Sequence, residues 1–330
     1  MKKIISLIVI LLLVSFDIVA DNDVEMGSDY YKRVIAKYIN ELENDKAGFE
    51  NKLQGFFDST AQQLGFGLSY HAASPAQNLK LGENMPTIDL GLELALLKVD
   101  TSHEFWQFII ADKKIPPVLV IPRLHVNIAL PADFEFGVSG AKIPYSNIWL
   151  IGGELKWSVI GNHESFFNLA IRGAFSKLIG LDELSIGSVE GNISGSFDLK
   201  VIIPYFGLGA VDIMADATVP EVPEGFASNV ADYMGLNCSG LTGQEKSFCE
   251  TERNKVITRV NNVFPEKNPD GTKARFFNLK KYNHVVPKMF VGVKFDLLYI
   301  NFVTELALSY DFATSQYINT FFTFRANLSF

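Results

Sequence analysis

The chain has 330 residues, a formal charge of −8 and a hydrophobic fraction of 48%, with 27 phenylalanines and two cysteines. An acidic chain lacks the basic patch that phosphate binding needs, which excludes nucleic acid as a partner. No segment after the first twenty residues supplies 18 consecutive apolar residues, so no helix is expected to cross a bilayer. An apolar, Phe-rich chain of this kind is expected to be a large secreted β domain or a membrane barrel.

In chain order, Met1-Lys2-Lys3 is a basic start, and Ile4 to Phe16 is apolar except for Ser6 and Ser15. Ile18-Val19-Ala20 offers a small residue just before Asp21. Residues 1–20 read as a secretory signal peptide, because about 20 apolar residues are needed to span a bilayer. Residues 21–64 are helical in character. Tyr31, Val34, Ile35, Tyr38, Ile39 and Leu42 recur at steps of three and four, and Phe49, Leu53, Phe56 and Phe57 continue the stripe. The segment is expected to be either a periplasmic helix pair or a plug in the lumen of a barrel. Its polar face is mixed in sign, which argues against a membrane-surface anchor.

From Pro86 the period changes to two. The apolar members of the successive strands are Ile88 to Leu96, Leu124 to Leu130, Phe134 to Val138, Trp149 to Val159, Phe167 to Phe175, Ile193 to Leu199, Met289 to Leu297, Ile300 to Tyr310 and Ile318 to Phe330. Residues 201–214 are apolar on both faces, so their facing stays open. This predicts an all-β fold over residues 65–330, an antiparallel up-and-down barrel of ten strands. Residues 65–71 and 273–279 would make twelve if each were a strand. Strand parity puts the short links near 131–132, 160–165, 199–201 and 298–300 on the periplasmic side. It puts residues 216–285 outside as one long loop. Cys238 and Cys249 lie in that loop, and an oxidising compartment favours their pairing.

In the last strand Ile318, Thr320, Phe322, Phe324, Ala326, Leu328 and Phe330 share one face. Asn319, Thr323, Arg325, Asn327 and Ser329 share the other, with Phe321 the bulky exception. A greasy outer face and a polar inner face suit a strand between lipid and water. The ending resembles the signal that the barrel assembly machinery reads in bacterial outer-membrane proteins, with Phe324, Leu328 and Phe330 as its apolar members. Arg325 stands where that signal often has Gly. The resemblance implies a cell outer-membrane location in a Gram-negative envelope, with outer-membrane lipid and the assembly machinery as partners.

Further runs extend the likeness: Ile121-Pro122-Arg123-Leu124-His125-Val126, Gly152-Gly153-Glu154-Leu155-Lys156-Trp157, the stretch Leu169 to Leu184, Pro204-Tyr205-Phe206-Gly207-Leu208-Gly209 and Lys288-Met289-Phe290-Val291-Gly292-Val293. Together they resemble an uncharacterised family of proteobacterial outer-membrane barrels, loosely grouped with the long-chain fatty-acid transporter (FadL-like) barrels. The likeness covers about 118–215 and 286–330. It implies fold and location, and it supplies no established substrate.

The ionisable residues expected to face the lumen are Asp89, Glu93, Arg123, His125, Glu135, Glu154, Lys156, Arg172, Lys294, Asp296, Glu305 and Arg325. Both signs are present, so they either pair and fill a narrow interior or line a selective path. About 16 strands are needed for an open aqueous channel. His125 and His163 have no Ser motif beside them, and no spacing reads as a metal, phosphate or nucleotide site. No enzyme and no cofactor is expected. The first functional reading is a porin-like barrel that passes a small or hydrophobic solute. The second is a non-transporting structural or adhesive barrel that acts through its outer loops.

Overall fold

A computed structural model describes residues 28–71, 73–80, 86–98, 118–142, 148–161, 165–180, 184–219, 221–277, 279–297, 300–311 and 316–329. The expected signal peptide, His163 and Phe330 lie outside the described residues. Ten strands follow two N-terminal helices, α1 (Ser28–Asn44) and α2 (Lys46–Leu68). The strands are β1 (Ile88–Lys98), β2 (Val118–Leu130), β3 (Phe134–Lys142), β4 (Trp149–Ile160), β5 (Phe167–Ile179), β6 (Leu184–Phe197), β7 (Ile202–Ala217), β8 (Tyr282–Leu297), β9 (Ile300–Asp311) and β10 (Gln316–Ser329). Each pairs antiparallel with its sequence neighbours, and β1 pairs with β10 from Asp89↔Ser329 to Leu97↔Phe321, which closes the ring.

The alternation of side chains explains the strands. Leu90, Leu94, Leu124, Phe136, Leu155, Trp157, Phe175, Ile193, Phe206, Val291 and Phe324 are exposed on the outer wall, while their polar neighbours are buried inside. Residues 201–214 follow the same rule in β7: Ile202, Phe206 and Leu208 point out, and Ile203, Tyr205, Val211 and Ile213 point in. Both faces are apolar there because part of the interior is apolar too. Strand β6 starts at Leu184, earlier than the alternation from 192 suggests. Leu184 and Ile186 are its inward residues and Ser185 faces out, so the usual sense of the pattern inverts at that end.

The links fall at two ends. Residues 131–133, 161–166, 198–201 and 298–299 connect strands at the end where β1 begins, here the turn end. The joins of β1 to β2, β3 to β4, β5 to β6, β7 to β8 and β9 to β10 fall at the opposite, or loop, end. The insertion 218–281 carries α3 (Phe226–Tyr233), α4 (Gly243–Val263) and the Cys238–Cys249 disulfide, whose Cα atoms are 5.9 Å apart. The twelve-strand alternative is not met among the described residues. Residues 65–68 finish α2, and Lys273 and Arg275 make isolated bridges to Lys267 and Glu221.

Helix α2 starts where Asp45 accepts a hydrogen bond from the Gly48 amide at 2.8 Å. The apolar stripe of α1 and α2 is buried at Tyr31, Val34, Ile35, Ile39, Leu42, Phe49, Leu53 and Phe57. It packs on the insertion: Tyr31 stacks on Phe276 at 4.6 Å, Phe49 lies 5.7 Å from Phe277, and Phe226 and Phe264 meet Phe276 edge-on. The two helices and the insertion thus form one cap at the loop end. Helix α1 packs on the insertion, while the last turn of α2 meets the inner wall at Ile213 and Leu97. An aromatic partner exists for their stripe in the insertion, and a ring of this size has no room for a helix pair.

Candidate functional site

The lumen is built in two layers. Toward the loop end its wall is apolar, with Leu97, Ile121, Leu178, Ile186, Ile213, Val286 and Phe321 all buried. The last turn of α2 docks there. Gly65 lies so close to Ile213, and Gly67 to Leu97, that a Cβ at either position would overlap the neighbouring side chain. Phe321, the apolar exception on the inner face of β10, stacks on His71 at 3.7 Å and lies under the Arg123 guanidinium at 5.5 Å.

Below that layer the wall is polar, and the chain runs down it from Ser69 to Leu79. This stretch has no helix or sheet ladder of its own. A buried segment of that kind must find partners for its backbone elsewhere. The wall supplies them. Arg123 donates to the carbonyls of Gly67 at 2.8 Å and Ser69 at 2.9 Å. Ser176 donates to Leu68 at 2.9 Å, Arg172 to Ser74 at 3.2 Å and Ser158 to Ala76 at 2.7 Å. Lys156 donates to Pro75 at 3.3 Å, to Gln77 at 3.2 Å and to the Ser74 hydroxyl at 3.0 Å. At the bottom the Leu79 amide donates to Glu135 at 3.1 Å, the Gln77 amide side chain donates to Asp198 at 3.0 Å, and Asn78 bonds the Asp133 carbonyl. Asp133 and Asp198 belong to turn-end links, so the segment reaches the far side of the ring.

The same cations are held by carboxylates of the wall. Glu93 lies beside Arg123 on β2 and Arg325 on β10 in the strand register. Its carboxylate is 2.9 Å from His125 and 3.8 Å from Arg123. Glu135 is 3.0 Å from Lys156, and Glu154 is 2.9 Å from Arg172. Asn127 donates to Glu135 at 2.8 Å and to Glu154 at 3.1 Å, tying two pairs together. Asp89 accepts from Ser329 at 3.0 Å. Glu305 accepts from the Tyr205 hydroxyl at 3.1 Å. Asp89, Glu93, Arg123, His125, Glu135, Glu154, Lys156, Arg172, Glu305 and Arg325 are all buried. Lys294 and Asp296 pair at 2.9 Å nearer the turn end and are only half-buried.

Sequence reasoning missed the Glu190–Lys288 pair, whose two contacts are 2.8 and 3.0 Å. Glu190 is in phase with Asn192 and Lys288 with Lys294, so extending β6 and β8 toward the loop end would have found both. It also missed the lumen segment itself. Tyr70, buried within it, occupies space left by two wall glycines: a Cβ at Gly152 would come within 2.7 Å of its ring and one at Gly137 within 3.0 Å of its hydroxyl. The Gly152-Gly153 pair in β4 therefore marks, at Gly152, a close approach of the segment.

What remains between segment and wall at the turn end is a cavity of about 20 Å³, lined by Pro75, Gln77, Asp89, Lys156, Lys294 and Arg325 among others. That is room for roughly one water molecule. A second, open cleft of about 360 Å³ lies on the cap, with Phe276 and Phe277 in its lining and Lys46, Lys273 and Arg275 beside them.

No family model and no curated protein matches the chain. Among solved structures it is similar to a loop L8 deletion mutant of OmpT, an outer membrane protein of Vibrio cholerae, at 8% identity and a TM-score of 0.26. That match covers 64% of this chain and 54% of the other, so the chain spans about half of its length. It is similar to Ail, the attachment invasion locus protein of Yersinia pestis, at 10% identity and a TM-score of 0.25, over 74% of this chain and 99% of that one. The outer membrane protease OmpT of Escherichia coli matches at 8% identity and a TM-score of 0.30, over 78% and 100%. At such scores the likeness adds nothing to the ten-strand ring already described. The narrower kinship with long-chain fatty-acid transporter barrels finds no support in these comparisons.

Proposed function

We propose that the chain is an outer-membrane barrel, closed by its own polypeptide, that acts through the cap at its loop end. A continuous apolar outer wall on a closed ring supports the membrane reading, because a sheet with no free edge is one of two ways to satisfy backbone groups in lipid. Outer-membrane lipid and the assembly machinery are then its partners. The observation that carries the functional reading is the segment Ser69–Leu79, bonded along its length by Arg123, Lys156, Arg172 and Ser158. Transport of a small or hydrophobic solute would need this segment to leave. An adhesive or structural role needs it to stay. The disulfide-bonded insertion and the open cleft beside Phe276 give the cap a surface for such a role, and no catalytic activity is proposed.

Planar-bilayer recording tests the reading. The full chain is expected to be silent, and a variant lacking residues 28–80 to conduct in steps. Steady conductance by the full chain would return the solute-transport reading to first place.

A further inference from the structure

We infer that the barrel carries its own N-terminal helices through its lumen to the outer face, and that this route accepts sequence placed ahead of α1. The inference rests on the outer-membrane reading above. Helices α1 and α2 are fixed at the loop end: Arg259 of α4 holds Glu43 through two bonds of 2.7 and 2.8 Å, Lys46 donates to the Val263 carbonyl at 3.0 Å, and Gln54 and Lys280 bond each other's amide groups at 2.7 and 3.1 Å. Strand β1 nevertheless begins at the opposite end, where Asp89 pairs with Ser329 and Ile88 with Ile128. Between the two, residues 69–71 and 73–79 lie inside a ring closed by β1–β10 pairing. The cap and the start of β1 therefore lie on opposite sides of the wall.

A periplasmic precursor reaches this arrangement only if residues 28–68 cross to the loop end, either before β1 and β10 pair or through the closed ring. A helix with its side chains is about 10–12 Å wide, so two packed helices do not pass through a lumen that one extended strand of chain already fills. Passage through the closed ring requires the helices to cross unfolded or singly and to pack on the insertion afterwards. The sequence suits that passage: residues 28–68 contain no cysteine, so no crosslink has to be avoided. Once across, the aromatic contacts with Phe276 and Phe277 hold them outside.

Antibody access on whole cells tests this. One epitope of about ten residues is placed directly ahead of Ser28 in the full chain, and a control epitope replaces none of the chain but follows Gly240 in the disulfide loop. Both are expected to bind antibody on intact cells at comparable levels. Binding at the Gly240 epitope alone, with the N-terminal one appearing only after permeabilisation, would overturn the inference and leave the barrel reading standing. Binding at neither until the cells are opened would overturn the assumed orientation and the inference with it.

Discussion

At the scale of single residues, several of the buried lumen charges serve both a wall partner and the lumen segment. Glu154 forms an ion pair with Arg172 at 2.9 Å, and Arg172 in turn donates to the Ser74 carbonyl. Removing one member of a buried pair leaves the other charge uncompensated, at a cost of about 3–5 kcal/mol. Glu154→Ala is expected to lower stability by an amount of that order in urea unfolding, with the barrel still silent in bilayers. Glu305→Ala, which removes the acceptor of the Tyr205 hydroxyl, is expected to cost about 1–3 kcal/mol. Wild-type stability in both would mean that these side chains meet water. A second residue-scale test uses the ring of Tyr70. Gly152→Val should destabilise by about 1–3 kcal/mol through overpacking, and by less in a Tyr70→Ala background, since that removes the ring and leaves the close contact with the Phe175 carbonyl. Strict additivity in the double-mutant cycle would show that the ring does not occupy this space.

The inward charges were legible because strand alternation marks a face. Arg123, Glu154 and Arg172 stood out as polar residues in phase on otherwise apolar strands. Their pairing was not legible, because it depends on which strands are neighbours and on register. Residues 69–79 were silent for a different reason. The run SYHAASPAQNL has neither period, and its backbone is held by wall side chains distant in sequence rather than by local structure.

At the scale of elements, the cap is held by an aromatic interior and by ion pairs at its surface. Helix α1 is tied to α4 by Glu43 and Arg259, and α3 to α4 by Asp232 and Arg253. The Arg259 hydrogen bond holds the Glu43 carboxyl below its ordinary value against the opposing effect of desolvation, and the guanidinium charge adds a lesser lowering. Arg253 lowers Asp232 in the same way. A depressed carboxylate contributes stability above its unfolded value, and the contribution is lost as pH falls through the folded value. The cap is therefore expected to loosen in acid below the ordinary carboxylate range, seen as faster amide exchange in α1 and α3. Arg259→Gln should raise exchange in α1 at neutral pH and flatten its acid response. An α1 exchange profile unchanged by pH and by this substitution would assign its docking to the aromatic contacts alone. The helical stripe of α1 was readable from its spacing, whereas its partner was not. Phe276 and Phe277 lie more than two hundred residues away, in a stretch with no regular structure to announce them.

At the scale of the whole molecule, the closed ring was the most legible feature, because ten alternating segments leave few other architectures. The path of the chain through it was not, since topology of that kind leaves no mark on local pattern. That path has a mechanical consequence. A tug on the cap, as from a surface that it grips, would run down residues 69–80 and arrive at Ile88, the first residue of β1. Force applied there lifts the strand from its bottom edge and would peel β1 from β2 and β10 one rung at a time, beginning at Ile88↔Ile128 and Asp89↔Ser329. Peeling is the weak direction for a sheet, because each rung bears the load alone. Arg123, Lys156, Arg172 and Ser158 grip the chain before the tug reaches that edge and spread it over four strands, β2, β4 and β5 directly and β3 through Glu135. The polar wall is then a brake on a rope, and it shields the one seam where the ring could come undone.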